Sequence, residues 1–396
     1  MITHKFRIYP SRKTEEKLIE TLHICRKAYN FFLGELQQQK VIDKSLIQGV
    51  IPNMKICDAD YNKVHSKTLQ MEVSKLFSNL KGLSGSKKNG RKVGQLRFKG
   101  KHVFKTFTYN QSGFKIDFNS RRTQTLSLSK IGNIPIRCHR KIEGNIKQIT
   151  IKHFPSGKWF AFVIEDGVKS QNTANNKVVG IDLGLQNIIY DSDGNSIQNP
   201  RHLKQKEKRL KHLQRLISNK KKGSLNRNRF RIQLARQFEK LTDTRDDFLH
   251  KQSHYYSANY GTIAIEDLKV KNMTQNRFAK SINDASWSKF KQLLSYKVER
   301  TGGLMIAVNP RGTTQRCSQC GNNVPKEIQD RWHKCSCGFE ADRDYNSALE
   351  IKRLGLLKLR VERPESNHLE METLLSNEQF PSMNNEAYSK TKFWCG

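Results

Sequence analysis

No apolar run in this sequence approaches the ~20 residues that a membrane-spanning helix requires, although the chain is 396 residues long. The opening stretch, MITHKFRIYPSRK, lacks the apolar centre of a secretory signal. Acid is scarce as well: 36 Asp and Glu stand against 72 Lys and Arg, a net charge of +36. Such a surplus favours a polyanionic partner. Nucleic acid and an anionic membrane surface are the two rivals, and without an apolar segment the membrane has nothing to hold. The cysteine pattern of a small secreted disulfide scaffold is also missing. Cys25, Cys57, Cys138 and Cys395 are scattered singly, and the other four of the eight are clustered. The expectation is a protein of a reducing, cytoplasmic compartment with a polyanionic partner. Hydrophobic residues reach 36%, enough for several modest cores in roughly two or three domains of ~100–200 residues.

The chain opens with a predicted strand over 2–9, broken by Pro10, and a helix whose Leu18, Leu22, Cys25, Tyr29 and Phe32 form a core stripe. Residues 35–90 read as polar and mostly helical. From Gly94 the pattern changes. GQLRFKGKHVFKTFTYN interleaves Phe98, Phe104, Phe107 and Tyr109 with Arg97, Lys99, Lys101 and Lys105. Five further strand-like segments follow, to about residue 165, and suggest a small β-barrel. Cations hold phosphate and rings stack on bases, so these residues are candidate nucleic-acid contacts. The competing assignment places the rings in the barrel core and leaves only the cations wet.

After a polar linker at 171–177, VVGIDLGLQNIIY reads as two short strands around a glycine turn. Residues 202–222 and 227–250 read as a helical hairpin turned at KKKGS. Leu210, Leu213 and Ile217 line one arm; Phe230, Leu234, Phe238, Leu241 and Phe248 line the other. The single-signed outer faces, including Lys220, Lys221 and Lys222, suit a phosphate backbone. GTIAIEDLKV is a buried strand running into a loop. A helix over 286–302, capped by Ser286, and the strand LMIAVNP come next. Beyond Ile351 the organisation is expected to dissolve, and a Glu-rich tail from Val361 is expected to be flexible.

Two acids interrupt apolar strands, Asp182 in VVGIDLG and Glu266 in IAIEDL, and Asp344 begins a predicted helix in DRDYNSALEI. A carboxylate in such a strand is costly unless it is paired, solvated or bound to metal. Asp344 can also serve as a helix cap. Converged, the three would repel one another unless hard cations such as magnesium or manganese neutralised them. Two such ions ~3.5–4 Å apart suit hydrolysis of a phosphodiester. The clustered cysteines, Cys317-x-x-Cys320 and Cys335-x-Cys337, each followed by glycine, match a closed structural zinc site. The second spacing is one residue short of the commoner one, which leaves His333 as a substitute for Cys335.

GIDLGLQN, RDDFLHKQS, IAIEDLKVKNM, ASWSKFKQLLSYK, VNPRGTTQRCSQCG and ADRDYNSALEI occur in that order. Together they resemble TnpB, the transposon-encoded nuclease family related to the type V CRISPR effectors. The N-terminal KFRIYPSRKTEEKLIETLHICRKAYN and the segment from Gly94 are similar to the same family, and the resemblance runs to about residue 353. It implies an α/β and β multidomain protein: an RNase H-like RuvC nuclease domain over 177–353, with the helical hairpin 202–250 and a zinc ribbon inserted at about 312–340. Before it would lie a wedge β-barrel, residues 1–12 and 94–172, interrupted by a helical recognition domain over 13–93; a tail follows at 361–396. Asp182, Glu266 and Asp344 match the family's metal-binding triad, and Asp342 does not. Cys317, Cys320, Cys335 and Cys337 match its zinc ligands. The implied cofactors are one structural zinc and two catalytic magnesium or manganese ions. The implied partners are a guide RNA from the transposon end and a double-stranded DNA target beside a short adjacent motif, with activity accessory to transposition. Ser347 and Glu350 depart from the family's commoner residues.

Three other readings compete. A nuclease-inactive RNA-guided DNA-binding regulator would have lost one acid, and none is lost. A transposase that cuts and joins strands itself would need a His-hydrophobic-His pair and a tyrosine nucleophile, and the sequence has no such His pair. A generic zinc-ribbon DNA-binding protein accounts for the cysteines and the charge but leaves two strand-borne acids unexplained.

Overall fold

The computed structural model describes residues 1–38, 43–118, 124–166, 175–273, 278–327 and 329–362. The tail beyond Glu362, with Cys395, and most of the expected linker lie outside these. The chain divides into two compact units, Met1–Val168 with Leu216–Arg236, and Lys169–Arg215 with Gln237–Gly396.

The first unit joins seven strands and four helices: β1 Ile2–Ile8, α1 Arg12–Gln38, α2 Lys44–Gly49, α3 Ile51–Cys57, α4 Ser66–Lys88, β2 Thr106–Asn110, β3 Phe114–Asp117, β4 Gln124–Leu128, β5 Gly132–Arg137, β6 Asn145–His153 and β7 Trp159–Asp166. The strands form one sheet in the order β2-β6-β7-β1-β5-β4-β3. Its two outermost strands, β2 and β3, are consecutive in the chain and joined only by residues 111–113. Three residues bridge at most roughly 14 Å, so the sheet must curl until its edges approach. Ser129 N donates to Gly113 O at 2.8 Å and the Tyr109 hydroxyl to Ser129 O at 2.7 Å. The result is nearly a barrel. β1 sits between β5 and β7, antiparallel to both. The helices do not build a core of their own: Leu18, Leu22, Tyr29 and Phe32 of α1 and Leu69, Val73 and Leu76 of α4 belong to the same apolar cluster as the strands.

The second unit is built on β8 Val178–Asp182, β9 Asn187–Asp191, β10 Ser196–Gln198, β11 Thr262–Glu266 and β12 Leu304–Val308, in the order β10-β9-β8-β11-β12. β8, β11 and β12 are parallel; β9 and β10 are antiparallel additions. The remaining elements are α5 His202–Ser218, α6 Leu225–Asn259, α7 Val270–Met273, α8 Ala279–Ala285, α9 Trp287–Arg300, the hairpin β13 Trp332–Lys334 with β14 Glu340–Asp342, and α10 Arg343–Glu362. The turn between α5 and α6 falls at the expected glycine, Gly223, with φ +86°. Among the described residues no helix is long and apolar enough to cross a membrane.

Alternation along β8 and β11 decides what each face meets. Val179, Ile181, Ile263 and Ile265 pack with Leu249 and Tyr256 of α6 and Phe290 and Leu294 of α9. The other face carries Gly180 and Ala264, and α10 lies against it. A methyl on Gly180 would overlap Ala348 O and stand 2.5 Å from Lys352 N; one on Gly355 would stand 2.5 Å from Ala264 Cβ. Small residues therefore set how closely α10 rides on the sheet.

Three expectations fail here. The chain does not lose its order after Ile351: α10 continues to Glu362, because Ile351, Leu354 and Leu359 pack with Ala264, Ile306 and Val308 of the sheet. Ser286 does not cap α9 with its side chain. It sits at φ +55°, and its hydroxyl donates backward to Asn283 O at 3.0 Å. Phe238 does not line its helix; it is exposed.

Candidate active site

Asp182 is the last residue of β8 and Glu266 the last of β11. The parallel register pairs Ile265 with Ile181, so the two acids end adjacent strands side by side. Each is two residues beyond a small one, Gly180 and Ala264, and so lies on the face that α10 covers. Asp344 is the second residue of α10. The carboxyl ends of parallel strands, with a helix across them, are where open α/β sheets bind ligands.

Asp182 and Glu266 are buried. Burial, then the charges of Glu266 and Asp344, push the Asp182 carboxyl well above the ordinary carboxylate range. Burial raises Glu266 too, against a hydrogen bond from the Thr313 hydroxyl at 2.5 Å. Asp344 is the wetter member and faces cations: Arg343 Nε at 3.4 Å and Arg331 Nη1 at 3.8 Å. The helix cap is Asp342, whose Oδ1 accepts from the main-chain N–H of Asp344 at 2.8 Å and of Tyr345 at 3.3 Å. Asp344 is thus released from the capping role that its position suggested. Beside it opens a cleft of about 690 Å³, with Arg201, Lys204, Lys280, Arg331 and Arg343 in its lining. Asp267 takes no part in the cluster: it is exposed and paired with Lys291 Nζ at 2.5 Å.

The donor set suits a hard divalent cation. It offers carboxylate oxygens only, and their mutual repulsion already favours protonation where no cation relieves it. Ser347, fully buried beside Asp182, turns its hydroxyl to that carboxyl and lowers its proton affinity slightly, against the burial. The three carboxylates are not drawn together as tightly as the four thiols.

Those thiols, of Cys317, Cys320, Cys335 and Cys337, all lie within 4.8 Å of one another, which no other His, Cys, Asp or Glu set does among the described residues. Cys317 and Cys337 stand 3.8 Å apart, Cys320 and Cys335 3.4 Å. A tetrahedral zinc–thiolate shell places its sulfurs about 3.8 Å apart, so the residues fit that ion. Gly321 and Gly338, at φ +80° and +89°, turn the chain behind each knuckle, and their N–H groups donate to Cys317 O and Cys335 O. Burial pushes the Cys317 thiol up to about 12, whereas the Cys337 N–H holds Cys335 down to about 7. His333 does not replace Cys335: it lies outside the cluster of four, and its Nδ1 contacts Lys326 Nζ.

The aromatic candidates for base stacking are corrected. Phe104, Phe107 and Tyr109 are buried in the first unit's core, with Phe104 beneath Lys75 Nζ at 4.2 Å. The inward phase of β2 claims Phe107 and Tyr109, Phe104 is buried just before the strand, and a ring without an exposed face cannot stack on a base. The exposed ring of the segment is Phe98. Arg97 and Lys101 are exposed, Lys99 and Lys105 half-buried, and Lys220, Lys221 and Lys222 exposed. Thr313 escaped the sequence reading altogether, since no spacing rule links it to an acid 47 residues earlier.

Three family models match the chain: "Probable transposase" over residues 161–277, "Cas12f1-like, TNB domain" over 287–351, and "Helix-turn-helix domain" over 1–40. The described part of that last span is one strand and one helix here. The chain is 28% identical to a putative RNA-guided DNA endonuclease of Streptomyces pristinaespiralis, covering 89% of each protein. It is also 28% identical to the putative RNA-guided DNA endonuclease InsQ of Escherichia coli K12, over 89% of this chain and 91% of that one. Among solved structures, the Cas12f1 chain of an sgRNA–target DNA complex superposes with a TM-score of 0.60 at 16% identity, covering 86% of this chain and 83% of that one. The class is that of the endonucleases, hydrolases with an acid-bearing parallel sheet and a four-cysteine module. Within it, residues 161–277 match the OrfB IS605 family model and residues 287–351 the Cas12f1-like domain, in keeping with the resemblance to TnpB.

Proposed function

We propose that the protein is an RNA-guided DNA endonuclease of a transposon, cutting double-stranded DNA in a RuvC-like site. The observation that carries the reading is the pairing of Asp182 and Glu266 at the ends of adjacent parallel strands, with the helix that bears Asp344 across them. The names of the similar proteins point the same way. In this reading Asp182, Glu266 and Asp344 hold two magnesium or manganese ions, and the four cysteines hold one structural zinc. Ions bound there would activate a water and neutralise the leaving oxygen of a phosphodiester. Glu266 is oriented by the Thr313 hydroxyl, and Arg331 and Arg343 hold Asp344 at the mouth of the cleft. The cations of the cleft receive the backbone of the strand to be cut.

The finer assignments belong to the same proposal. The guide is transcribed from the transposon end, pairing with it selects the target, and the protein itself reads only duplex shape and a short adjacent motif. Residues 1–12 and 94–172 form the wedge, 13–93 the recognition segment and 177–353 the RuvC-like domain with its ribbon. The protein acts where the DNA lies, in the cytoplasm at the nucleoid, and supports transposition.

The test begins with the RNA that co-purifies with the protein. One abundant species bordering the encoding gene is expected, and random cellular RNA would count against guidance. The ribonucleoprotein should then cut a matched plasmid with magnesium present, and Asp182→Ala should reduce cutting to background. Undiminished cutting by Asp182→Ala would overturn the site assignment.

A further inference from the structure

The acid-bearing helix and the cysteine module meet at one side chain. Asn346 is fully buried. Its Oδ1 accepts from Ser318 N at 3.0 Å, and its Nδ2 donates to Arg316 O at 2.8 Å. Those two peptide groups flank Cys317, itself fully buried. The carboxamide thus pairs with main chain on both sides of the first cysteine of the knuckle, its oxygen accepting and its nitrogen donating from one planar group.

The geometry of α10 makes that contact mechanical. Asn346 is two residues beyond Asp344, about 200° around the helix, so the acid faces the sheet while the amide faces the ribbon. One turn on, fully buried Glu350 extends the same stripe. It takes Arg353 Nε at 2.6 Å, Arg353 Nη2 at 2.7 Å and Arg316 Nη1 at 3.4 Å. On the other side Arg343 N donates to Arg331 O at 2.8 Å, tying the first residue of α10 to the second half of the ribbon. Among the described residues, Asn346 makes both hydrogen bonds from the main chain beside Cys317 to α10, and the Arg316 side chain adds a longer one to Glu350.

We infer that Asn346 is a positioning residue: it transmits the fold of the cysteine module to α10 and so fixes where Asp344 stands. The inference rests on the nuclease reading for the role of Asp344, but the joint can be tested apart from it. The test uses the full chain loaded with zinc, in wild type, Asn346→Ala, Cys317→Ser, the double variant and Asp344→Asn. Zinc content, hydrogen exchange of the peptide 343–351 and Mn2+ affinity are measured. Asn346→Ala should keep its zinc yet exchange at 343–351 about tenfold faster, as expected where two buried hydrogen bonds are lost. Mn2+ binding should weaken by a similar factor. Cys317→Ser should have the same two effects, and the double variant should be no worse than either single one, because both break one path. Asn346→Ser, a smaller uncharged side chain that can keep at most part of the pair, should exchange at an intermediate rate; it replaces Asn346→Ala should that variant fail to fold.

Unchanged exchange in zinc-loaded Asn346→Ala, or effects that add in the double variant, would overturn the inference. Mn2+ affinity that Asp344→Asn leaves untouched would instead overturn the metal-site reading, with the exchange result still deciding the joint.

Discussion

Glu72 shows how one side chain can oppose the fold that contains it. It lies in α4, 1% exposed, and is held by Lys75 Nζ at 3.2 Å. Burial pushes its carboxyl up to about 7 from an ordinary value of 4.5, against the pull of Lys75. The folded chain therefore holds this proton more tightly than the unfolded chain. Its contribution to stability is fully present below about 4.5 and is lost as pH rises through about 7. Glu72→Gln keeps the shape and removes the charge. It should stabilise the protein by roughly 1–3 kcal/mol at pH 8 and leave it nearly unchanged at pH 3.5. Urea unfolding at the two pH values checks this; an equal change at both would show that packing, not charge, governs the site. Lys75 also donates to Thr106 O at 3.3 Å, so it keeps a partner in the variant.

The element scale is where sequence and structure agree most closely, for a physical reason. β8 and β11 each end in small–Ile–acid, Gly180-Ile181-Asp182 and Ala264-Ile265-Glu266. The period of two then puts both acids on the face that the small residues open to a helix. That much is legible in one dimension, as are the cysteine knuckles, whose ligands are near in sequence. Strand phase in β2 was not legible, because Phe107 and Tyr109 alternate equally well with either face turned inward. Nor was the run of α10 past Ile351, which depends on apolar contacts with strands far away in the chain. The same logic makes Gly180 a spacer. Gly180→Ala should force α10 off β8 at a cost of about 1–3 kcal/mol, and the displacement should move Asp344 relative to Asp182. The expected outcome is a lowered unfolding midpoint together with a large loss of cleavage. Ala264→Gly removes bulk at the same interface and should cost less cleavage than Gly180→Ala. Full cleavage by Gly180→Ala would mean that the approach of helix and strand does not set the acid geometry.

Across the whole molecule the dominant quantity is the charge of +36, and it can act in two ways. A diffuse field would attract any polyanion without fixed contacts, whereas particular lysines on phosphates would release a fixed number of counterions. The turn residues Lys220, Lys221 and Lys222 distinguish these cases, being exposed and adjacent. Replacing all three with alanine removes only three of the 36 net charges, so a diffuse field would hardly notice. Direct contacts would each contribute about 0.7 to the slope of log affinity against log salt for a single-stranded partner. Wild-type binding to single-stranded RNA should fall steeply with salt, by on the order of 300-fold between 50 and 200 mM where about six phosphates are held. The triple variant should lose about 2 from that slope if each lysine holds one phosphate. A slope unchanged within 0.5, roughly less than one contact, would assign the turn to the diffuse field and leave the fixed contacts to residues such as Arg97, Lys101 and the cations around the Asp344 cleft.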